Sequence, residues 1–151
     1  MADADEVKAA ALRFYEALGL LMAGNLDPMR RVWDHGAEVS SGHPIGEWAH
    51  GWDEVLATWE ELAALSRQNT AAAPQGAPPV MGIRIERVFV LGDVAYTTGV
   101  FESENNVNGK TVRMSLNCTN IFRRRDGGWK LIHHHADKAP VVGDILAGAL
   151  S

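Results

Sequence analysis

The sequence predicts an α+β domain. Helical spacing occupies the first half of the chain, runs rich in β-branched and aromatic residues occupy the second, and a Pro/Ala-rich stretch separates them. From about Asp5 to Ala23, residues Val7, Ala11, Phe14, Leu18, Leu21 and Met22 share one helical side. Asp3 with Glu6 three residues later resembles a capping box, and Gly24 is a natural stop. A second helix can start at Asp27-Pro28, cap then first-turn proline, and run to about His35. A third begins near Gly51 and carries Val55, Leu56, Trp59, Leu62 and Ala63 on one stripe. Thr70 to Gly82 reads as a linker.

Four strands follow: Ile83 to Leu91, Val94 to Phe101, Thr111 to Arg124 and Trp129 to Ala136. Gly92-Asp93, Asn108-Gly109 and Asp126-Gly127 are hairpin-turn dipeptides, so the strands form an antiparallel meander. The last hairpin fixes a register. With a two-residue turn at Asp126-Gly127, Thr119 lies opposite His134, with Asn117 and Ile132 on the same face. Cys118, Asn120 and Phe122 then oppose His135, His133 and Leu131 on the other. A bulged turn including Gly128 makes these pairings slip. The tail from Lys138 to Ser151 is moderately apolar and suits a sheet edge or a partner chain.

At 151 residues the chain fits a single domain, 1–151, with one core. A formal charge of -5 excludes phosphate-dominated nucleic-acid binding, and Arg123-Arg124-Arg125 reads as a solvated hairpin end. One cysteine, Cys118, precludes an internal disulfide. No apolar run approaches the roughly 20 residues of a membrane span, and the acidic N-terminus is unlike a secretory signal. The expectation is a cytoplasmic protein without nucleic-acid or membrane partners.

The three helices, the Pro-rich linker and the meander ending in Asp126-Gly127-Gly128-Trp129-Lys130-Leu131-Ile132-His133-His134-His135 are similar to the SnoaL-like and ketosteroid-isomerase-like proteins of the NTF2-like superfamily. The stretch from Trp33 to Gly46, followed by Gly51-Trp52-Asp53-Glu54, resembles the entrance region of the same proteins. The resemblance covers almost the whole chain. It implies helices packed on a curved antiparallel sheet, a cone-shaped pocket and a homodimer. It does not imply one reaction, because one fold hosts many.

The isomerase pattern departs at each role. Its base, an Asp before a proline, corresponds to His43 before Pro44; its acid on the penultimate strand corresponds to Thr119; its phenol has only Tyr15 nearby, half a turn early. The cyclase Asp corresponds loosely to Asp137, and the hydrolase Asp-Arg-Asp arrangement has no counterpart around Arg113.

His43 is therefore the candidate catalytic base or acid, since an imidazole exchanges protons near neutrality. The alternative is a histidine bonded to loop backbone. Asn117, Thr119 and His134 are the candidate groups that orient a ligand oxygen, or else a satisfied cross-strand cluster. Trp33, Trp48, Trp52 and Trp59 are expected to wall the pocket, with Trp48 as its lid. The histidine run supplies only His133 and His135 on one face, short of a metal site, so no metal and no cofactor is expected. That face, with Leu116, Phe122, Trp129 and Leu131, reads as the dimer interface.

The leading expectation is a small-molecule enzyme or binder with an apolar pocket for a hydrophobic, carbonyl-bearing ligand, using isomerase-, cyclase- or hydrolase-type acid–base chemistry. The alternative is a non-catalytic interaction or dimerisation module of the same fold.

Overall fold

A computed structural model describes residues 2–44, 46–72, 80–107 and 110–139. Three helices come first: α1 (Asp3–Met22), α2 (Asp27–Val32) and α3 (Gly51–Ala72). Helix α1 buries Val7, Ala10, Ala11, Phe14, Ala17 and Leu21, the three-and-four spacing of a single apolar face. Asp3 makes no capping bond; the helix instead gathers Asp3, Asp5 and Glu6 at its positive end. At its other end Gly24 takes φ +100° and the Asn25 N–H donates to the Leu20 carbonyl, closing the last turn as the glycine stop requires. Helix α2 ends at Val32, short of the expected His35. Trp33 is extended and forms a parallel bridge to Leu131.

The sheet has six strands, not four. The short strands β1 (Ser40–Gly42) and β2 (Ala49–His50) precede β3 (Val80–Leu91), β4 (Val94–Val107), β5 (Lys110–Arg125) and β6 (Gly128–Lys138), in the order β2-β1-β6-β5-β4-β3. The sheet is mixed, because β1 runs parallel to β6. Its concave face packs on α1 and α3 around Phe14, Leu21, Met29, Trp33, Trp59, Phe122 and Leu131, all nearly or fully buried. Trp33, Trp59 and Trp129 bury indole N–H groups with no hydrogen-bond partner among the described residues, a cost of about 1–3 kcal/mol each that apolar packing offsets. Part of the expected linker is helical, up to Ala72. Residues 73–79, the Asn108-Gly109 turn and the tail from Pro140 lie outside the described residues.

Register decides which side chains face the core. Arg125 pairs with Gly128 and Phe122 with Leu131, as a two-residue turn demands. A bulge then interrupts the ladder: Ile121 pairs with His133, Asn120 with His134 and Thr119 with His135. Ile132 is the additional residue, and beyond it the expected pairings are displaced by one. Asn120 and His134 thus turn inward with Cys118, Phe122 and Ala136, while Asn117 is exposed and Thr119 belongs to the outer face. Leu116, Phe122, Trp129 and Leu131, expected on an outer dimerisation face, are buried on the inner one.

The arginine run lies at a solvent-reaching hairpin end and is also paired. Arg123 meets Glu38 and Arg125 meets Asp34 at 3.0 Å, tying the hairpin end to the segment that leads into β1, while Arg124 meets Asp3 at the start of α1. The Asp34 N–H donates to the Leu131 carbonyl at 2.9 Å, so that segment enters alongside β6. This places His43.

Candidate functional site

Strand β1 lies beside β6 with Ser41 level with His134 and Gly42 level with His135. Alternation sends Ser41 inward, Gly42 outward and His43 inward again, at the end of the edge. The His43 ring stands edge-on to Trp59 at 4.8 Å between centroids and lies 5.9 Å from the His134 ring. Its Nε2 is 3.5 Å from Ser41 Oγ. Burial first, and then the neighbouring His135, hold the His43 imidazole below its ordinary pKa, so it is a neutral group at neutral pH.

Behind His43 runs a buried polar chain. His134 Nδ1 is 2.6 Å from Asn120 Oδ1, and Asn120 donates its Nδ2–H to Tyr15 Oη at 2.9 Å. The Asn120 amide oxygen can only accept, so His134 carries its proton on Nδ1 and its lone pair on Nε2. Beside this chain the Cys118 thiol, also buried, donates to the Leu116 carbonyl at 3.7 Å. Burial, then the charges of His43, His133 and His135, keep His134 well below its usual pKa; burial likewise raises the Tyr15 phenol and the Cys118 thiol. The chain is thus uncharged throughout at neutral pH.

On the other side of the edge, Trp48 lies across the backbone of Gly42. A Cβ at Gly42 would fall 2.4 Å from the Trp48 ring, so only glycine admits the indole there. Trp48 packs against His135 at 5.0 Å and His133 at 5.9 Å, yet remains 53% exposed. Between these groups is a groove of about 500 Å³ lined by Gly42, His43, Glu47, Trp48, His50 and His135, among others. Ser40 Oγ lies 2.7 Å from His133 Nδ1, and the His50 N–H donates to Glu54 Oε2 at 2.8 Å, which secures both walls.

Of the expected site residues, His43, His134 and Trp59 converge, and Trp48 joins them from the groove side. Trp33 is 2% exposed beneath Trp59 and belongs to the core. Trp52 is directed elsewhere, stacked on His35 at 4.1 Å. Asn117 and Thr119 face outward because the Ile132 bulge shifts the register, so neither points toward the interior cluster. Sequence reasoning missed Tyr15 and Asn120 in the chain, and Glu47, His50 and His135 at the groove. The β6 bulge that pairs Asn120 with His134 has no signal of its own in the sequence. Among the described residues, no group of three or more His, Cys, Asp and Glu side chains could hold a metal ion.

The model of the SnoaL-like domain family matches residues 7–140. No curated protein matches the chain. Among solved structures, a candidate dehydratase of the NTF2-like family from Streptomyces avermitilis is 26% identical, over 92% of this chain and 97% of that one, with a TM-score of 0.70. A candidate calcium/calmodulin-dependent protein kinase type II association domain from Thiobacillus denitrificans is 23% identical, over 88% and 94%, at 0.66. A ketosteroid isomerase-like protein from Erwinia carotovora atroseptica is 16% identical, over 92% and 98%, at 0.66. With a family model spanning most of its length, the chain belongs to the SnoaL-like family of the NTF2-like superfamily.

Proposed function

We propose that the protein is a small-molecule enzyme or binder whose ligand sits in the groove against Trp48, with His43 as the group that takes or gives a proton. One observation carries this reading. His43 is a neutral imidazole wedged between a buried hydrogen-bonded chain and a groove of about 500 Å³. A base held uncharged at a cavity wall is ready to accept a proton, and acid–base residues of this kind contribute roughly 10²–10⁴-fold to rates. The expected carbonyl ligand was to be held by Asn117, Thr119 and His134. With Asn117 and Thr119 facing outward and His134 alone directed inward, the proposal is narrowed to a partly apolar ligand undergoing proton transfer. No helix among the described residues is long and apolar enough to cross a membrane, and a cytoplasmic site of action belongs to the same proposal.

The test is a thermal-shift screen of small compounds on the wild type and on Trp48→Ala. A ligand at a hundred times its Kd stabilises by about 2.7 kcal/mol, and compounds active only on the wild type locate binding in the groove. For any compound that is turned over, His43→Ala should abolish turnover with little change in Kd. Turnover that survives that substitution removes His43 from the mechanism.

A second reading, an interaction or dimerisation module, is favoured by one different observation. Phe89, Tyr96, Ile121 and His133 are successive cross-strand neighbours on the outer face, and Phe89 is 43% exposed.

A further inference from the structure

The groove beside His43 has a chemical character that narrows its ligand. None of its lining residues is Lys or Arg. Glu47 contributes a carboxylate, and His43 contributes an imidazole that burial keeps unprotonated near neutrality. The largest apolar surface is the face of Trp48. That indole is positioned, not merely exposed: it is seated on the bare backbone of Gly42 and backed by His133 and His135. Just outside the lining, Glu54 adds a second carboxylate, bonded to the His50 backbone. An electron-rich aromatic face beside a carboxylate and the neutral His43 imidazole attracts a cation that donates hydrogen bonds. Among the described residues the same lining offers an anion no Lys or Arg.

We propose that the groove is a site for an organic ammonium, a small amine with an apolar body, seated on Trp48 with its charged head toward Glu47. This deepens the functional reading above and rests on it, because the ligand occupies the same groove. Ammonium ions over an aromatic face gain enough to change affinity several-fold at exposed sites and more where water is excluded. A carboxylate partner adds a charge-assisted hydrogen bond.

Three probes of one shape separate the possibilities: benzylammonium, benzyl alcohol and benzoate, titrated calorimetrically into the full chain near neutral pH. Benzylammonium should bind about tenfold more tightly than either of the others. Trp48→Ala should weaken it by about tenfold, and Glu47→Gln by roughly threefold, without affecting benzyl alcohol to the same degree. Both residues are exposed, so neither substitution endangers the fold. Benzyl alcohol or benzoate binding as well as benzylammonium overturns the ammonium class and leaves the groove as a ligand site. Binding by none of the three overturns the class and the groove reading together. Benzylammonium binding that is unchanged in both variants overturns the assigned seat.

Discussion

At the scale of single residues, the chain from His134 through Asn120 to Tyr15 is where small changes have large effects. Asn120 is 1% exposed and satisfies partners on both sides, so its removal strands the His134 N–H in an apolar interior and leaves the Tyr15 oxygen without its donor. Asn120→Ala should cost about 3 kcal/mol in urea or guanidinium unfolding, the desolvation of two buried groups plus a small cavity. Tyr15→Phe, which strands only the Asn120 amide, should cost about 1–2 kcal/mol. A loss below about 0.5 kcal/mol for Asn120→Ala would mean the chain is not formed. The histidines give a second prediction. His134, His43 and His133 all have folded pKa values below that of an unfolded histidine, burial being the main cause in each. Below about pH 6.5 the unfolded chain therefore binds protons that the folded chain refuses. Stability contributed by their neutrality is complete above that pH and is lost as pH falls through it, by up to about 1.4 kcal/mol per pH unit for each such histidine. Tm should be flat from about pH 7 to 8 and fall progressively below about 6.5, with a shallower fall in His134→Gln. A Tm that holds constant down to pH 5 would show that these imidazoles protonate in place.

At the scale of elements, two bulges shape the sheet, and they mark where the sequence could and could not be read. Periodicity located all three helices and the cores of four strands, since an apolar face repeats visibly at 3.6 or 2 residues. The short strands β1 and β2 were invisible, for three residues such as Ser40-Ser41-Gly42 carry no period of their own and are held by β6. The turn at Asp126-Gly127 gave the register correctly as far as Phe122 and Leu131, and then Ile132 displaced it. A bulge leaves no composition signal in Leu-Ile-His. That one residue moved the inward polar group of β5 from Thr119 to Asn120 and hid the chain to Tyr15. His43 was legible because a histidine before proline in a Gly-rich loop stands out locally; its partners depended on a long-range register. The other bulge, between Ile85 and Arg87, brings β3 close to β4. A Cβ at Gly99 would meet the Arg84 carbonyl oxygen at 2.5 Å and the Ile85 Cα at 3.2 Å, both backbone and neither able to turn aside. Gly99→Ala should therefore destabilise by about 2 kcal/mol or more, whereas Gly82→Ala, with nothing within 4 Å, should be nearly neutral. Equal denaturation midpoints for the two variants would contradict the close approach.

At the scale of the whole molecule, the question is what covers the outer face of the sheet. The row Phe89, Tyr96, Ile121 and His133 crosses four strands, and Phe89 stacks on Tyr96 at 4.8 Å. Leu91, two residues on and on the same face, is 66% exposed. Scattered apolar residues on a surface need no partner, but a contiguous aromatic row rimmed by charged groups has the composition of an interface core. The face also adjoins an edge, because β3 is the last strand of the sheet among the described residues. A two-fold interface would bring the same row of each copy together, burying Phe89 and Leu91 at its centre. This revises the residues of the expected homodimer while keeping its location: the outer face offers Phe89, Leu91 and Tyr96, not Leu116, Phe122, Trp129 and Leu131. Sedimentation equilibrium of the wild type should give a dimer at micromolar concentration, and Phe89→Glu with Leu91→Glu should give a folded monomer. Both positions are exposed in the single chain, so the double variant should keep its unfolding midpoint at high dilution. A wild type that is monomeric at about 100 μM, well above the Kd expected of a standard interface, removes the dimer through this face. Because the groove at Trp48 abuts the same row through His133, dimerisation and ligand binding can also be compared directly. If Trp48→Ala abolishes ligand binding and leaves the dimer intact, the two surfaces act independently, and the small-molecule reading does not depend on assembly.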